Sequence, residues 1–257
     1  MDDLARKTDP WSALRASTNA RIGLGRSGDA MPLKAVLEFQ HAHAKARDAV
    51  HTPLDLAAVE AALAPLPTLR VKSSAPDRPT YLRRPDLGRR LAEEPRVERN
   101  CADEGADILF VVADGLSATA VQMHAAPLVH ACVERLKGFR IAPVVLASQA
   151  RVALGDDVGE RFGAKLVAVL IGERPGLSVA ESLGVYLTFE PRRGRRDSER
   201  NCISNIHGKG GLSHALAADK LAWLAREALR LKLTGVKLKD DVDGLAAPGG
   251  ESALGRD

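Results

Sequence analysis

From residue 107 onward the chain alternates between short, almost unbroken apolar runs and longer stretches with helical spacing. DILFVVADG (107–115), IAPVVLAS (141–148) and KLVAVLIGE (165–173) read as strands buried on both faces. Residues 117–137 and 152–162 between them carry helical periodicity. GVYLTFEP (184–191) is a fourth strand, and no helical crossover separates it from its predecessor, so it is antiparallel or an edge. NCISNI (201–206) is a fifth. A long closing helix spans residues 212–233, with Leu216, Leu221, Trp223, Leu224 and Leu231 inward. Buried strands alternating with helices predict an α/β fold: a Rossmann-like, mostly parallel sheet with helices on both faces.

The N-terminal part has a different texture. Residues 32–50 predict a helix with Leu33, Val36, Leu37, Gln40 and Ala44 on one face and Pro32 in its first turn. Residues 54–63 predict a second, alanine-rich helix with Thr52 as its N-cap. The stretch PLPTLRVKSSAPDRPTYLRRPD is proline-rich and polar and reads as a connection, followed by a short helix over 86–94. The organisation expected is a flexible leader (1–20) with Trp11 as a docking anchor, a helical N-terminal region and connector (21–100), an α/β domain (101–237) and a flexible tail (238–257). No internal repeat is present.

Composition narrows the function classes. The 257 residues are 45% hydrophobic and 27% charged, an ordinary globular balance. A net charge of +4 does not imply a nucleic-acid partner. The arginine pairs at 83–84, 89–90, 192–193 and 195–196 are interleaved with acids and lack the aromatics that stack on bases, so they read as solvated faces or salt-bridged interfaces. No run approaches the roughly 20 apolar residues of a membrane span. The first residues lack the apolar core of a secretory signal. Cys101, Cys132 and Cys202 are scattered, which fits a reducing compartment without a disulfide framework, and no metal-ligand spacing occurs.

Candidate chemistry gathers at strand ends. Asp114-Gly-Leu-Ser117 marks a strand-to-helix junction, able to receive an anion or simply to cap the helix. Val152 follows the second strand and either faces the crevice or packs in the first helical turn. Glu173 ends the third strand, where a carboxylate needs donors; a Glu173–Arg174 pair and a ligand serve equally. Cys202 reads as a small hydrophobe. Its nearest base, His207, sits five residues on and so on the opposite strand face, against Cys–His catalysis. Gly23, Gly25 and Gly28 match GxGxxG, the basis of an alternative reading as a stand-alone NAD(P)-dependent Rossmann oxidoreductase. That motif needs a buried strand before it and an acidic residue after the next strand, and neither is present. Asn205-Ile-His207-Gly-Lys-Gly210 approaches the Asp-x-His-x-x-Gly pattern by which some B12 enzymes replace the lower base of cobalt. The orienting aspartate is an asparagine here, which favours a plain glycine turn.

The ordered blocks RIGLGRSG, FQHAHAKARDAVH, RPDLGRRL, VVADGLSATAV, ARVALGDDVGE, LIGERPGL and RNCISNIH closely resemble the small (light) subunit of ethanolamine ammonia-lyase, over roughly residues 18–240. The resemblance implies an adenosylcobalamin-dependent lyase that converts ethanolamine to acetaldehyde and ammonia by radical chemistry. It implies a large subunit that binds ethanolamine and carries the reacting groups. The small subunit then holds cobalamin against it through the α/β domain, with the cofactor's own lower base kept on cobalt. Carried over by motif, Val152, Glu173 and Cys202 resemble cobalamin contacts. No catalytic residue and no protein metal ligand is expected in this chain. The resemblance implies the cytoplasm. Some members carry a longer amphipathic leader addressing a bacterial microcompartment, and the leader here is short and poorly amphipathic.

Overall fold

A computed structural model describes residues 9–92 and 105–239. Six strands form one mixed sheet: β1 (Thr68–Lys72), β2 (Ile108–Ala113), β3 (Val144–Ser148), β4 (Leu166–Gly172), β5 (Leu183–Phe189) and β6 (Arg200–Ile206), in spatial order β1-β3-β2-β4-β5-β6. The first four run parallel; β5 is antiparallel to β4, and β6 to β5. Every residue of β2 and β4 is buried, as their unbroken apolar runs predict.

The helices are α1 (Ser12–Ser17), α2 (Leu33–His51), α3 (Leu56–Leu63), α4 (Arg78–Arg83), α5 (Ala118–Arg135), α6 (Leu154–Phe162) and α7 (His214–Leu231). The pleat sorts the strand residues into two cores. Ile108, Phe110, Leu166 and Leu170 pack beneath α3, α5 and α7, whereas Leu109, Val111, Val167 and Val169 pack against α6. The sheet therefore carries helices on both faces, with the helical N-terminal region beside it.

Several elements differ from the expectation. The proline-rich stretch read as a connection contributes β1. Leu69 and Val71 alternate there with Thr68, Arg70 and Lys72, a polar-faced edge strand whose signal is weak between flanking prolines. The first turn of α3 is capped by Asp55, whose Oδ1 accepts from Ala58 N–H at 3.0 Å; Thr52 instead closes α2, donating from Oγ1 to Asp48 O at 2.7 Å. Only a 3₁₀ turn, Leu87–Arg89, forms within the short helix expected at 86–94, of which residues 93 and 94 lie outside the described residues. Of the residues that share one face of α2, Leu33 and Leu37 are exposed. Ala35 and Ala49 are the buried positions of α2, because small side chains let the helix lie close to its neighbours. On α7, Leu221 and Leu224 are buried and Trp223 packs on the core, while Leu216 and Leu231 are exposed.

The leader is not featureless where it is described. Trp11 sits so close to Gly23 that a Cβ there would lie 2.2 Å from the indole, and Arg15 donates to Gly23 O at 2.6 Å. At the other end Leu238 is buried, and its carbonyl accepts from Asn201 Nδ2 at 2.7 Å. Residues 1–8 of the expected leader, 240–257 of the expected tail, and Cys101 lie outside the described residues. No helix among the described residues is long and apolar enough to cross a membrane.

Candidate functional site

The chain leaves β2 for α5 on one face of the sheet and leaves the adjacent β3 for α6 on the other. Loops that part in this way open a crevice at the carboxyl edge of a parallel sheet. An open cleft of about 660 Å³ lies there, walled by Gly115 after β2, Val152 after β3, Gly172, Glu173 and Arg174 at the end of β4, and Tyr186 on β5.

Asp114 braces this edge. Its buried carboxylate accepts the N–H groups of Gln149 and Ala150, each at 2.9 Å, and lies 3.4 Å from Arg78 Nη1. Burial pushes its carboxyl up from the usual carboxylate range, opposed by those two N–H donors and by Arg78. The carboxylate thus joins the loop after β2 to the loop after β3 and helps hold Gln149 at a φ of 55°. Ser117 does cap α5, accepting Ala120 N–H at 3.2 Å, and its hydroxyl also donates to Ala180 O at 2.8 Å. Gly172 lets the loop after β2 close onto β4: a Cβ at this position would lie 2.0 Å from Ser117 O, and Leu116 N–H donates to Gly172 O at 2.9 Å.

The three sequence-derived contacts divide unequally. Val152 and Glu173, from different loops, line the same cleft. Glu173 takes its donors from Ser182 Oγ at 2.5 Å and Asn205 N–H at 3.4 Å rather than from Arg174. Cys202 stands one strand farther out, opposite Tyr186 on the β5–β6 ladder. It is exposed, not a buried hydrophobe. The atoms around its sulfur push the thiol pKa up, against a hydrogen bond with Tyr186, so it is no activated nucleophile. Tyr186 lines the cleft, and Cys202 is its cross-strand neighbour.

His207 is buried and fully engaged. Its Nδ1 accepts from Lys209 N–H at 3.1 Å, which leaves the proton on Nε2, and Nε2 lies 2.7 Å from Asn205 Oδ1. Both ring nitrogens are used within the turn, so neither is left for a metal or for Cys202. The GxGxxG segment has no strand before it. It forms a turn beside Trp11 and the start of α2.

Sequence reasoning missed the residues that support the cleft. Tyr81, fully buried in the presumed connector, donates its hydroxyl to Ala150 O at 3.0 Å and lies between two guanidinium groups, Arg78 at 4.9 Å and Arg151 at 4.5 Å from the ring centre. The basic segment after β5 and the first residue of β6 clasp α6. Arg193 pairs with Asp157 through bonds of 3.0 and 2.9 Å, and Arg200 pairs with Asp156 through bonds of 2.6 and 2.7 Å. Burial works against the charge of Arg200, but its bonds to Asp156 outweigh it and hold the guanidinium firmly protonated. Only the acid–base alternation of the sequence hinted at these pairs.

Comparison with known proteins agrees with the resemblance. The model of the family described as ethanolamine ammonia-lyase light chain (EutC) matches residues 8–239. The ethanolamine ammonia-lyase small subunit of Azotobacter vinelandii is 50% identical over 264 aligned positions, covering 99% of this chain and 97% of its own length. That of Xanthomonas campestris pv. campestris strain B100 is 54% identical, covering 91% and 89%, and that of Pseudomonas fluorescens strain Pf0-1 is 49% identical, covering 91% and 88%. The oxidoreductase reading finds no support in these relatives or in the glycine turn. Sequence, fold and relatives agree: this chain belongs to the ethanolamine ammonia-lyase light-chain family and is a lyase subunit.

Proposed function

We propose that this chain holds adenosylcobalamin at the carboxyl edge of its sheet and presents it to a large catalytic subunit, where ethanolamine is bound and deaminated. The observation that carries this reading is the meeting of Val152 and Glu173 on one open cleft, with Cys202 paired to the cleft residue Tyr186 on the next strand. The chemistry of the cleft suits a corrinoid. The corrin rim is a ring of amides, and Glu173 offers acceptor oxygens to their NH₂ groups. Val152 and the face of Tyr186 supply apolar contact. Arg151 Nε is buried without a partner among the described residues, a donor that a ligand acceptor would satisfy. A corrinoid is larger than the cleft, so a second surface must cover the remainder, as the name "small subunit" borne by the relatives implies. When bound, the cofactor supplies the radical chemistry; the protein positions and shelters it.

In this reading no side chain of the chain transfers a proton or hydrogen atom. Glu173 orients, Val152 and Tyr186 pack, and His207 stays within its turn. Glu173→Ala, in the complex with the large subunit, is expected to weaken cobalamin binding about 10- to 100-fold, the range for losing a hydrogen bond to a charged group. Subunit assembly should be unchanged, because among the described residues the Glu173 carboxylate bonds only locally, to Ser182 and to the N–H of Asn205 near the end of β6. Spectroscopic titration of the assembled complex with hydroxocobalamin reads the affinity, and gel filtration reads assembly. Wild-type affinity in the variant would remove Glu173 from the site.

A further inference from the structure

The cleft is charged unevenly. Arg89, Arg151 and Arg174 line it together with Glu173 and Asp197. Asp197 already accepts from Arg200 Nε at 3.4 Å, and Glu173 accepts from Ser182 and Asn205. None of the three arginines forms an ion pair with a described residue.

Two of them are held together. Arg151 N–H donates to Gly88 O at 2.8 Å, which fixes the turn carrying Arg89 against the loop after β3. Gly88 makes this approach possible, since a Cβ there would lie 2.8 Å from the Tyr81 ring and 3.0 Å from Arg151 Cγ. The Arg151 guanidinium is stacked on the buried Tyr81 ring, and its Nε has no acceptor. A donor kept buried and unbonded is costly unless a ligand or water completes it. Arg89 also borders a neighbouring cavity of about 380 Å³, where Arg193 and Arg195 are consumed by Asp157 and Glu199 but Arg90 forms no ion pair with a described residue. The strip from Arg151 through Arg89 is therefore a pre-oriented cationic wall with forked donors suited to an anionic oxygen pair.

We propose that Arg89 and Arg151 form an anion subsite that receives the phosphodiester in the nucleotide tail of the corrinoid. The proposal rests on the cobalamin reading above and extends it from the corrin rim to the tail. Arg151 makes the fixed contact, held by Tyr81; Arg89, exposed on its turn, closes on the anion from the adjoining wall.

The test uses the assembled two-subunit complex and two probes: hydroxocobalamin, and cobinamide, which lacks the nucleotide tail and its phosphate. Arg151→Gln and Arg89→Gln are each expected to weaken hydroxocobalamin binding about tenfold or more while leaving cobinamide affinity at the wild-type value. Arg151→Lys, which keeps the charge but not the fork, should fall between. Equal losses for both probes would mark a general packing defect and overturn the subsite. Unchanged hydroxocobalamin affinity would overturn it as well, even if the variants lost binding of inorganic phosphate. A wild-type complex that binds neither probe would overturn the cobalamin reading, and the subsite with it.

Discussion

Asp156→Ala is expected to destabilise the chain by about 3–5 kcal/mol, the usual consequence of removing one partner from a buried ion pair. Arg200 and Asp156 have side chains only 1% and 2% exposed. Arg200 also reaches Thr188 Oγ1 at 2.9 Å and Arg195 O at 3.1 Å, so one guanidinium joins β5, the basic segment after it and the first turn of α6. Removing the carboxylate strands a cation in the interior. The melting temperature should fall by roughly 6–20 °C for a chain of this size. The paired change Asp156→Leu with Arg200→Met removes both charges together and should recover most of the loss. A loss below about 1 kcal/mol for Asp156→Ala would show that the clasp does not hold α6 in place.

Gly172→Ala is expected to be comparably severe for a different reason. Its new methyl carbon would sit 2.0 Å from Ser117 O and 2.9 Å from Asp114 O, both backbone atoms that no rotamer change can move. The loop after β2 would have to lift, breaking the bond from Leu116 N–H to Gly172 O. Overpacking of about 1–3 kcal/mol and a lost buried hydrogen bond of about 1 kcal/mol or more act together. The displaced residues are walls of the cleft, so ligand affinity should fall with stability. Gly208→Ala is the matched control, since a Cβ there meets nothing within 4 Å and its stability should stay near wild type. Denaturant unfolding of both variants measures the contrast, and a Gly172→Ala chain as stable as Gly208→Ala would contradict the close approach.

These two residues show what could and could not be read from the chain itself. The strands of the sheet's centre were legible because their apolar runs are long and uninterrupted, and β4 ends within one residue of its predicted boundaries. Strand β1 was not, because an edge strand with Thr68, Arg70 and Lys72 on one face has no continuous apolar signature. The inward face of α2 was not legible for the converse reason. Periodicity reports which residues share a face and leaves open which face is turned inward, and here the alanine face took the core.

The cleft was legible in its corners and hidden in its supports. Val152 and Glu173 stand at strand ends and carry family motifs, so they could be named, and the fold brings them together. Tyr81 and Arg151 interact across 70 residues of sequence. No spacing rule links them, and only folding places the ring beneath the guanidinium. The Arg200–Asp156 pair spans 44 residues, and its members looked like any two charges in a mixed run. The fate of His207 was readable in part: an asparagine where an aspartate would orient a metal-bound imidazole predicted a turn, and both ring nitrogens are indeed committed there.

Hydrogen exchange of the intact two-subunit complex, with and without hydroxocobalamin, tests the central claim most directly. The account predicts new protection in peptides spanning residues 150–154, 172–175 and 201–205, and little change around the glycine turn at 23–28. Protection that spares all three segments, or that centres on the glycine turn, would contradict it.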